Sequence, residues 1–246
     1  MKNIVRFILS LSFIFFSNAW AENAELIVEP SKNQIREFIL ENPEVILESL
    51  KRYELKMKSI AEMKEKELIK KELMFLKSNK FDYVGGNPDG SITMIEFLDY
   101  KCGFCRRAHH EIQQLLKVNP EIKFVVKELP ILGDQSLIAA KASLAVLLNQ
   151  GNAMYEAFTA KLVEYDGIIN QKSISTLVES IGGDLETIQS VMESSKIYDI
   201  LDSNYALARK LNITGTPTFI IGTEIIRGYK DIKTLQQIIN HKKQTL

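Results

Sequence analysis

Apolar side chains recur along residues 31–78 at alternating spacings of three, four and seven, a period that predicts a long helical region. Ser31 is a suitable N-cap for a first helix, and Pro43 suits the first turn of a second one. The apolar positions are Ile35, Ile39, Ile46, Leu50, Tyr53, Met57 and Ile60, followed after a break by Ile69, Leu73 and Leu76. We therefore predict a helical N-terminal arm over residues 22–78.

The remaining positions between 51 and 77 are mostly Lys and Glu, many of them four residues apart. They leave only a narrow apolar seam to bury. One interpretation is that the arm packs on the globular part of its own chain. The narrow seam favours the other, in which the arm protrudes and self-associates, so a homo-oligomer formed through the arm is a candidate assembly.

After residue 78 the pattern changes to that of a small α/β domain. Residues 79–90, NKFDYVGGNPDG, are rich in turn residues and mark the boundary. Buried strands are predicted in SITMIEFLDY and KFVVKEL, with a helix from 102 to 117 between them, and again in TPTFIIG and TEIIRGY before a final helix. Residues 134–212 are helical throughout, in segments at 134–150, 152–165, 173–181 and 185–211. The domain, residues 79–246, thus has two halves of one sheet separated by an all-helical insertion.

The first 21 residues have the pattern of a signal peptide. Lys2 and Arg6 precede an apolar run over residues 7–16, and Ala19-Trp20-Ala21 supplies a small-x-small cleavage site. The run is shorter than the roughly 20 residues that span a bilayer. We expect export to the periplasm and a mature chain that begins near Glu22.

Composition narrows the class of partner. The formal net charge is zero and no long basic or acidic tail is present, so the sequence gives no reason to expect a nucleic acid partner. The chain has only two cysteines, too few for the several disulfides that staple many exported proteins. Stability must then come from a core, which leaves the cysteine pair free for chemistry.

Both cysteines lie in Cys102-Gly103-Phe104-Cys105, where a predicted strand ends and a helix begins. Unpaired N–H groups and the helix dipole stabilise an anion at that position. The flanking cations Lys101, Arg106 and Arg107 should add to this effect. Because thiolate is the nucleophile of disulfide exchange, we expect Cys102 to attack and Cys105, one turn further on, to resolve the mixed disulfide.

Two other interpretations of the pair remain open at this point. A zinc site could use Cys102, Cys105, His109 and His110, although ligands usually come from two separate pieces of chain. An inert structural disulfide is the other, and the flanking cations argue against it.

Glu96, six residues before Cys102, stands inside the apolar strand ITMIEFL. An acid there is costly to bury without a partner or a function. It could accept the proton of Cys105 during resolution, directly or through water, or it could simply face solvent at a strand edge. Asp99 and Lys127 are weaker candidates for the same surroundings.

A distant segment, Gly215-Thr216-Pro217-Thr218, places a proline at the start of a strand, a position suited to a cis peptide bond. Together with Cys-Gly-Phe-Cys, the acid six residues earlier and the helical insertion, it resembles the DsbA-type branch of the thioredoxin superfamily over residues 80–243. The resemblance implies a thioredoxin-like α/β fold, a cis Pro217 facing the disulfide, and backbone hydrogen bonds from Thr216 to a bound peptide.

The segment from Asn42 to Ile46, followed by the charged helix, also resembles the oligomerising stalk of suppressor-of-copper-sensitivity-type members, which form trimers. Outer-membrane-associated DsbA-like antigens have similar arms. The strongest oxidases of the family have Pro-His between the cysteines, whereas this chain has Gly-Phe, so we expect a less oxidising site. Gly-aromatic pairs and a threonine before the proline are used by related disulfide isomerases.

The sequence therefore favours an exported protein thiol:disulfide oxidoreductase, oxidase or isomerase, that acts on client proteins with cysteines and is restored by a membrane redox partner. No organic cofactor or metal is implied, because the disulfide itself carries the two electrons. The alternative is a redox-silent periplasmic or surface-associated binding or chaperone-like protein.

Overall fold

The computed structural model describes residues 30–78 and 81–244. The predicted signal peptide lies outside these residues. The chain divides into two compact units between Met57 and Lys58. The division falls inside a helix, whereas the sequence pattern placed the end of the arm at residue 78.

Two helices make up the described N-terminal region: α1 (Lys32–Glu41) and α2 (Glu44–Ser78). Ser31 caps α1 in a capping box with Gln34, as its position predicted. Many large apolar side chains of the first unit are exposed. They are Ile35, Phe38, Leu40, Val45, Ile46, Leu47, Leu50, Tyr53, Leu55 and Met57.

The part of α2 that belongs to the second unit packs on that unit. Ile69 and Leu76 are fully buried against side chains of the sheet, including Phe97. Glu65 pairs with Arg227 at 2.7 Å, and Glu72 pairs with Lys210. This half of the helix therefore agrees with the interpretation in which the arm packs on its own chain.

The sheet has five strands: β1 (Tyr83–Gly86), β2 (Ile92–Leu98), β3 (Ile122–Glu128), β4 (Thr218–Ile221) and β5 (Glu224–Arg227). Their spatial order is β1-β3-β2-β4-β5. Only the central β2–β3 pair is parallel. The sequence pattern missed β1, because its four residues stand among turn formers and Gly86 takes a positive φ of 65°.

Six helices complete the domain: α3 (Gly103–Val118), α4 (Asp134–Glu164), α5 (Gln171–Ser180), α6 (Leu185–Met192), α7 (Ser195–Lys210) and α8 (Ile232–Gln244). Helices α4 to α7 lie consecutively between β3 and β4, as the predicted insertion requires. The single helix expected at 185–211 is wrong, since the chain turns between α6 and α7. The thioredoxin-like α/β fold with an inserted helical domain and helical N-terminal arm is confirmed.

Strand β2 is buried at all seven positions, so both faces of the sheet are covered. Ile95 and Phe97 face a smaller cluster that includes α2 and α7. Met94 and Leu98 face the larger core, which contains the cysteine helix α3. Because side chains alternate along a strand, Glu96 lies between Met94 and Leu98 on the face that packs against α3. Within residues 30–78 and 81–244, no helix is long and apolar enough to cross a membrane.

We predict that Ile69→Ala lowers the free energy of unfolding of the domain by about 2–4 kcal/mol, because it leaves a cavity in the smaller cluster. The measurement is urea denaturation followed by circular dichroism. Met63→Ala is the matched control on the same helix and in the same unit, since Met63 is 59% exposed and its removal should change stability by less than about 0.5 kcal/mol. Equal effects of the two substitutions would contradict the packing of this half of α2.

Candidate active site

The cysteine pair occupies the first turn of α3. Cys102 is the N-cap, with extended backbone angles of φ −74° and ψ 112°, and its carbonyl accepts the first helical hydrogen bond from Arg106 at 3.1 Å. Cys105 lies one turn further on. Both are free thiols, of which Cys102 is 8% exposed and Cys105 is fully buried. Both thiols are buried, and Cys102 alone of the two keeps a small exposed fraction.

The segment around Pro217 meets Cys102 from the other half of the domain. The Thr216–Pro217 peptide bond is cis, as the family resemblance implied. The carbonyl oxygen of Thr216 lies 3.0 Å from Cys102 Sγ and accepts a hydrogen bond from it when the thiol is protonated. Strand β4 begins immediately afterwards and pairs with β2, with Thr218 opposite Phe97. The sheet therefore brings together two motifs that are 114 residues apart.

The surroundings separate the pKa values of the two thiols. The pKa of Cys102 is lowered to about 5, chiefly by a hydrogen bond from Cys105 and also by the Thr216 side chain and the N–H groups of Phe104 and Cys105. Partial burial opposes this shift. The pKa of Cys105 is raised well above its usual range by burial, by its hydrogen bond to Cys102 and by the charge of Glu96.

The flanking arginines have other partners. Arg106 donates to the carbonyl of Val163 at 2.6 Å and to Asp166 at 2.6 Å, which joins α3 to the end of α4. Arg107 lies over the ring of Tyr229, 4.6 Å from its centroid. The causes that lower the pKa of Cys102 are hydrogen bonds, and neither arginine is among them.

Glu96 lies behind the cysteines, inside the domain. It is 4% exposed, so the alternative in which it faces solvent at a strand edge is wrong. Burial, followed by the negative charges of Glu128 and Cys102, raises its pKa to about 8. A carboxyl group with this pKa can exist in either form near neutral pH and can exchange a proton with a neighbouring thiol.

A second buried acid, Glu128, lies on the same face of the sheet. It follows Val126, the residue opposite Glu96, by two positions on β3. One of its oxygens accepts hydrogen bonds of 2.7 Å from the hydroxyls of Tyr100 and Tyr155. Burial still raises its pKa to about 8. Sequence analysis missed Glu128, although an acid at the end of the apolar run KFVVKEL was a signal of the same kind as Glu96.

Asp99 and Lys127, the two weaker candidates, have structural contacts. Asp99 accepts hydrogen bonds from the main-chain N–H groups of Lys101, Ile131 and Leu132 at 2.8–3.0 Å. Lys127 is fully buried and pairs with Asp82. These contacts hold the loop that precedes Cys102 and the edge of the sheet.

A family model for DSBA-like thioredoxin domains matches residues 93–240. This range is more than half of the chain and includes both cysteines, Glu96, the helical insertion and Pro217. The chain belongs to the DSBA-like thioredoxin domain family.

Solved structures of similar proteins have the same fold as this DSBA-like domain. A thioredoxin-like oxidoreductase from Silicibacter pomeroyi is 33% identical, with a TM-score of 0.66 over 70% of this chain and 97% of its own. The thiol-disulfide exchange protein alpha-DsbA2 from Wolbachia pipientis is 28% identical, with a TM-score of 0.69 over 74% and 97%. A linker-deleted ScsC variant from Proteus mirabilis is 22% identical, with a TM-score of 0.69 over 94% and 100%, and shows the fold alone.

The curated relatives are of two kinds. The disulfide bond formation protein D of Bacillus subtilis is 24% identical over 63% of this chain and 73% of its own length. The Na(+)/H(+) antiporter NhaA of Herminiimonas arsenicoxydans is 23% identical over 67% of this chain. The chain spans about a quarter of the length of that antiporter, with coverage of 26%.

Three exposed apolar side chains, Phe104, Ile131 and Leu132, stand on segments joined to the cysteine turn. Phe104, between the cysteines, is 60% exposed and stacks on Tyr229 with ring centroids 6.0 Å apart. Ile131 and Leu132 are also exposed, on the loop that Asp99 ties to the turn before Cys102. Tyr229, Ile131 and Leu132 could not be singled out from the sequence, because their position relative to the cysteine turn depends on the fold.

The two histidines of the zinc alternative stand further along α3. Their ring centroids are 5.7 Å apart and the rings are nearly perpendicular. His109 is turned toward the interior, where burial lowers its pKa. In the part of the chain that the structure describes, no group of three or more His, Cys, Asp or Glu side chains could hold a metal ion.

We predict that the Cys102 thiol titrates with a midpoint near pH 5, measured by the ultraviolet absorbance of the thiolate. Cys105→Ala removes the largest cause of the low pKa and should raise the midpoint by about 1–2 units, because a hydrogen bond to a charged group contributes about 1.5–3 kcal/mol. Cys105→Ser keeps a donor and is the matched control, whose midpoint should stay closer to that of the native protein. Identical midpoints in the two variants would contradict the assigned cause.

Proposed function

We propose that this protein is a thiol:disulfide oxidoreductase that forms or rearranges disulfide bonds in client proteins through Cys102 and Cys105. The observation that carries the proposal is the contrast between the two thiols. Cys102 is 8% exposed and has a low pKa, whereas Cys105 is fully buried and has a high one. Disulfide exchange needs this contrast, because one sulfur must attack or leave as a thiolate while the other keeps its proton until it resolves the intermediate.

In the reducing direction, the Cys102 thiolate attacks a client disulfide and forms a mixed disulfide, releasing the other client sulfur as a thiolate. Cys105 then loses its proton and attacks Cys102, so that the Cys102–Cys105 disulfide forms and the client leaves. The oxidising direction is the reverse: a client thiolate attacks Cys102, and Cys105 leaves and takes up a proton. The two electrons stay on sulfur throughout, and no cofactor is needed.

Glu96 serves as the proton acceptor and donor for Cys105. Two facts support this role: its carboxyl is buried on the face of the sheet that packs against α3, and its charge raises the pKa of Cys105. A protonated Glu96 can protonate the departing Cys105 thiolate, and an ionised one can deprotonate the attacking thiol. Asp99 and Lys127 are left with structural roles.

The client peptide lies against the cis Thr216–Pro217 segment. The main chain of Thr216 is adjacent to Cys102 Sγ, so its hydrogen-bonding groups are well placed for an extended peptide next to the reacting sulfur. Phe104, Tyr229, Ile131 and Leu132 supply an apolar border, which suits unfolded or misfolded clients with exposed apolar side chains.

The proposed setting is the periplasm, supported by the signal-like pattern of residues 1–21 and by the chemistry, since disulfides persist in oxidising compartments. A membrane redox partner would restore the active form of the pair after each turnover. The decisive measurement is the redox equilibrium of Cys102–Cys105 against glutathione. We expect a potential between those of DsbA, about −120 mV, and thioredoxin, about −270 mV, because the Cys102 pKa of about 5 lies between theirs, about 3.5 and about 7.

A value of about −120 mV would make the protein a strong disulfide donor. The absence of any exchange would leave only a redox-silent binding function.

We predict that Cys102→Ser abolishes exchange with a disulfide-containing peptide. Glu96→Gln should leave the attack of Cys102 intact but slow resolution of the mixed disulfide by about 100-fold or more, the usual contribution of a general acid–base group. Stopped-flow kinetics with acid quenching separates the two steps. Equal slowing of both would contradict the role of Glu96.

We also propose that the first unit forms a homo-oligomer through its exposed apolar side chains. Contiguous apolar surface of this kind is rare on a monomeric soluble protein, and a second copy of the same helix presents a complementary seam. Several active sites on one assembly would suit isomerisation of a client with more than one wrong disulfide.

If the first unit forms an oligomer, light scattering should give a solution mass that is a multiple of the mass of one chain. The family resemblance implies three copies. Ile46→Lys combined with Leu50→Lys should reduce the mass to that of one chain, because both charges would enter the seam. Glu54→Lys changes charge on the same helix outside the apolar positions and should not dissociate the assembly. A native protein with the mass of one chain would refute this proposal without affecting the proposed chemistry.

A further inference from the structure

A small cavity lies beside the Glu96 carboxyl, between the sheet and helices α3 and α4. Its volume is about 20 Å³, and a buried water needs roughly 10–15 Å³, so the cavity has room for one water molecule. The side chains that line it and can form hydrogen bonds are Tyr83, Glu96, His109, Gln113, Tyr155, Glu156 and Thr159.

Glu96 contributes an unused acceptor to this cavity. Across the described residues, its Oε1 atom is buried and has no hydrogen-bond partner. An unsatisfied polar atom in the interior is costly. A water in the cavity would satisfy Oε1 and would have further partners in the His109 and Gln113 side chains, which meets the usual requirement of two to four partners.

The cavity shares part of its lining with an open cleft on the surface. The cleft has a volume of about 410 Å³, and Tyr83, Gln113 and Glu156 line both spaces. The Tyr83 hydroxyl donates a hydrogen bond to Glu156. Glu156 thus stands between the buried cavity and solvent, with a carboxylate that can accept a proton.

The cleft opens far from Cys102. Its other lining residues are Gly86 and Asn87, just after β1, and Leu116, Lys117 and Pro120, at the C-terminal end of α3. Cys102 caps the opposite end of that helix. Fourteen residues of α-helix separate Cys102 from Leu116, which is about 21 Å at 1.5 Å per residue.

The cleft and the surface at Cys102 are separate openings to solvent. This separation is important because of the order of steps in the proposed reaction. While the mixed disulfide exists, the client covers the surface at Cys102. At that stage Cys105 must still exchange a proton with solvent through Glu96. A proton path along the Cys102 side would be closed by the client at the step that needs it.

We propose that the cavity water and Glu156 form a rear proton exit for Glu96, which opens into the cleft at the far end of α3. This inference rests on the proposed function. In resolution, Cys105 gives its proton to ionised Glu96 and its sulfur bonds to Cys102, while the bond from Cys102 to the client sulfur breaks and the client leaves as a thiolate. Glu96 then passes the proton to the water, and Glu156 passes it to solvent.

Other charged and titratable groups face this path and influence its proton affinity. Glu128 contributes from β3, Cys102 and Cys105 from the start of α3, His109 from the middle of α3, Tyr155 from α4 and Tyr83 from β1. Burial lowers the pKa of His109, which favours its neutral ring. A neutral imidazole has one donor and one acceptor and can orient the water between Glu96 and Glu156.

The path can be tested by hydrogen–deuterium exchange of the Glu96 carboxyl, followed by infrared spectroscopy after mixing with D2O. Glu96→Gln identifies the band of the protonated carboxyl. The measurement uses the full chain with Cys105→Ala, both unmodified and with Cys102 linked to a peptide through a stable mixed disulfide. We expect the peptide to leave the exchange rate unchanged, because the exit lies at the other end of α3.

Two substitutions then address the exit itself. Thr159→Leu fills the cavity and should slow carboxyl exchange by at least about tenfold, in both the unmodified and the peptide-linked protein. Thr159→Val, the matched control, keeps the space and should have little effect. Glu156→Gln removes the proton acceptor from the shared lining while preserving its size, and should also slow exchange; it gives an independent result if Thr159→Leu does not fold.

Slower exchange on peptide attachment, with no effect of Thr159→Leu or Glu156→Gln, would show that the proton leaves at the Cys102 side and would overturn the inference. Unchanged exchange in every variant would also overturn it. Failure of the proposed function gives a different result: the native protein would not exchange with client disulfides, whereas carboxyl exchange in the unmodified protein would still depend on Thr159 and Glu156.

Discussion

The hydrogen bond from Cys105 to Cys102 is the interaction on which the chemistry of the site depends. It is the largest contribution to the low pKa of Cys102 and also helps to raise that of Cys105. Two side chains of one type thereby acquire opposite protonation preferences. The contact exists only because the helix begins at Cys102 and the next turn carries Cys105 into the core.

The central strand β2 supplies the acid of the site, and burying that acid costs free energy of folding. It places an acid among apolar neighbours, and the adjacent strand adds Glu128, so two carboxyl groups are buried on one face of the sheet. Hydrogen bonds from Tyr100 and Tyr155 offset part of the cost at Glu128. Polar groups in such places destabilise a fold unless they are satisfied. The apolar core on both faces of the sheet stabilises the fold and offsets the cost of burying the two carboxyl groups.

Local patterns predicted the parts of this structure that depend on local forces. Ser31 capped its helix, and the apolar run around Glu96 formed a buried strand. The cis bond at Pro217 was implied by the family resemblance and not by the local pattern alone. Where the outcome depended on distant partners, the pattern failed. Strand β1 is stabilised by pairing with β3 despite its glycines, and α6 and α7 separate at a turn that no glycine or proline marks.

In the active site, too, the features set by local sequence were predictable and those set by distant partners were not. Cys102, Cys105 and Glu96 were identifiable because cysteine is scarce in this chain and an acid is unusual in an apolar strand. The arginines beside the cysteines suggested an electrostatic role, but Asp166 and Tyr229, which engage them, come from elements far along the chain. Residue type and spacing indicated which groups react. The direction in which a neighbouring cation points could be known only from the assembled fold.

Asp99 gives the surface around Cys102 a property that no single loop would have. By accepting main-chain hydrogen bonds from both the turn before Cys102 and the segment with Ile131 and Leu132, it fixes two separate stretches of chain relative to each other. The apolar border is therefore preorganised before any client arrives. The entropy lost on binding falls mainly on the client, so a rigid enzyme surface can accept many flexible sequences in turn and still release each one.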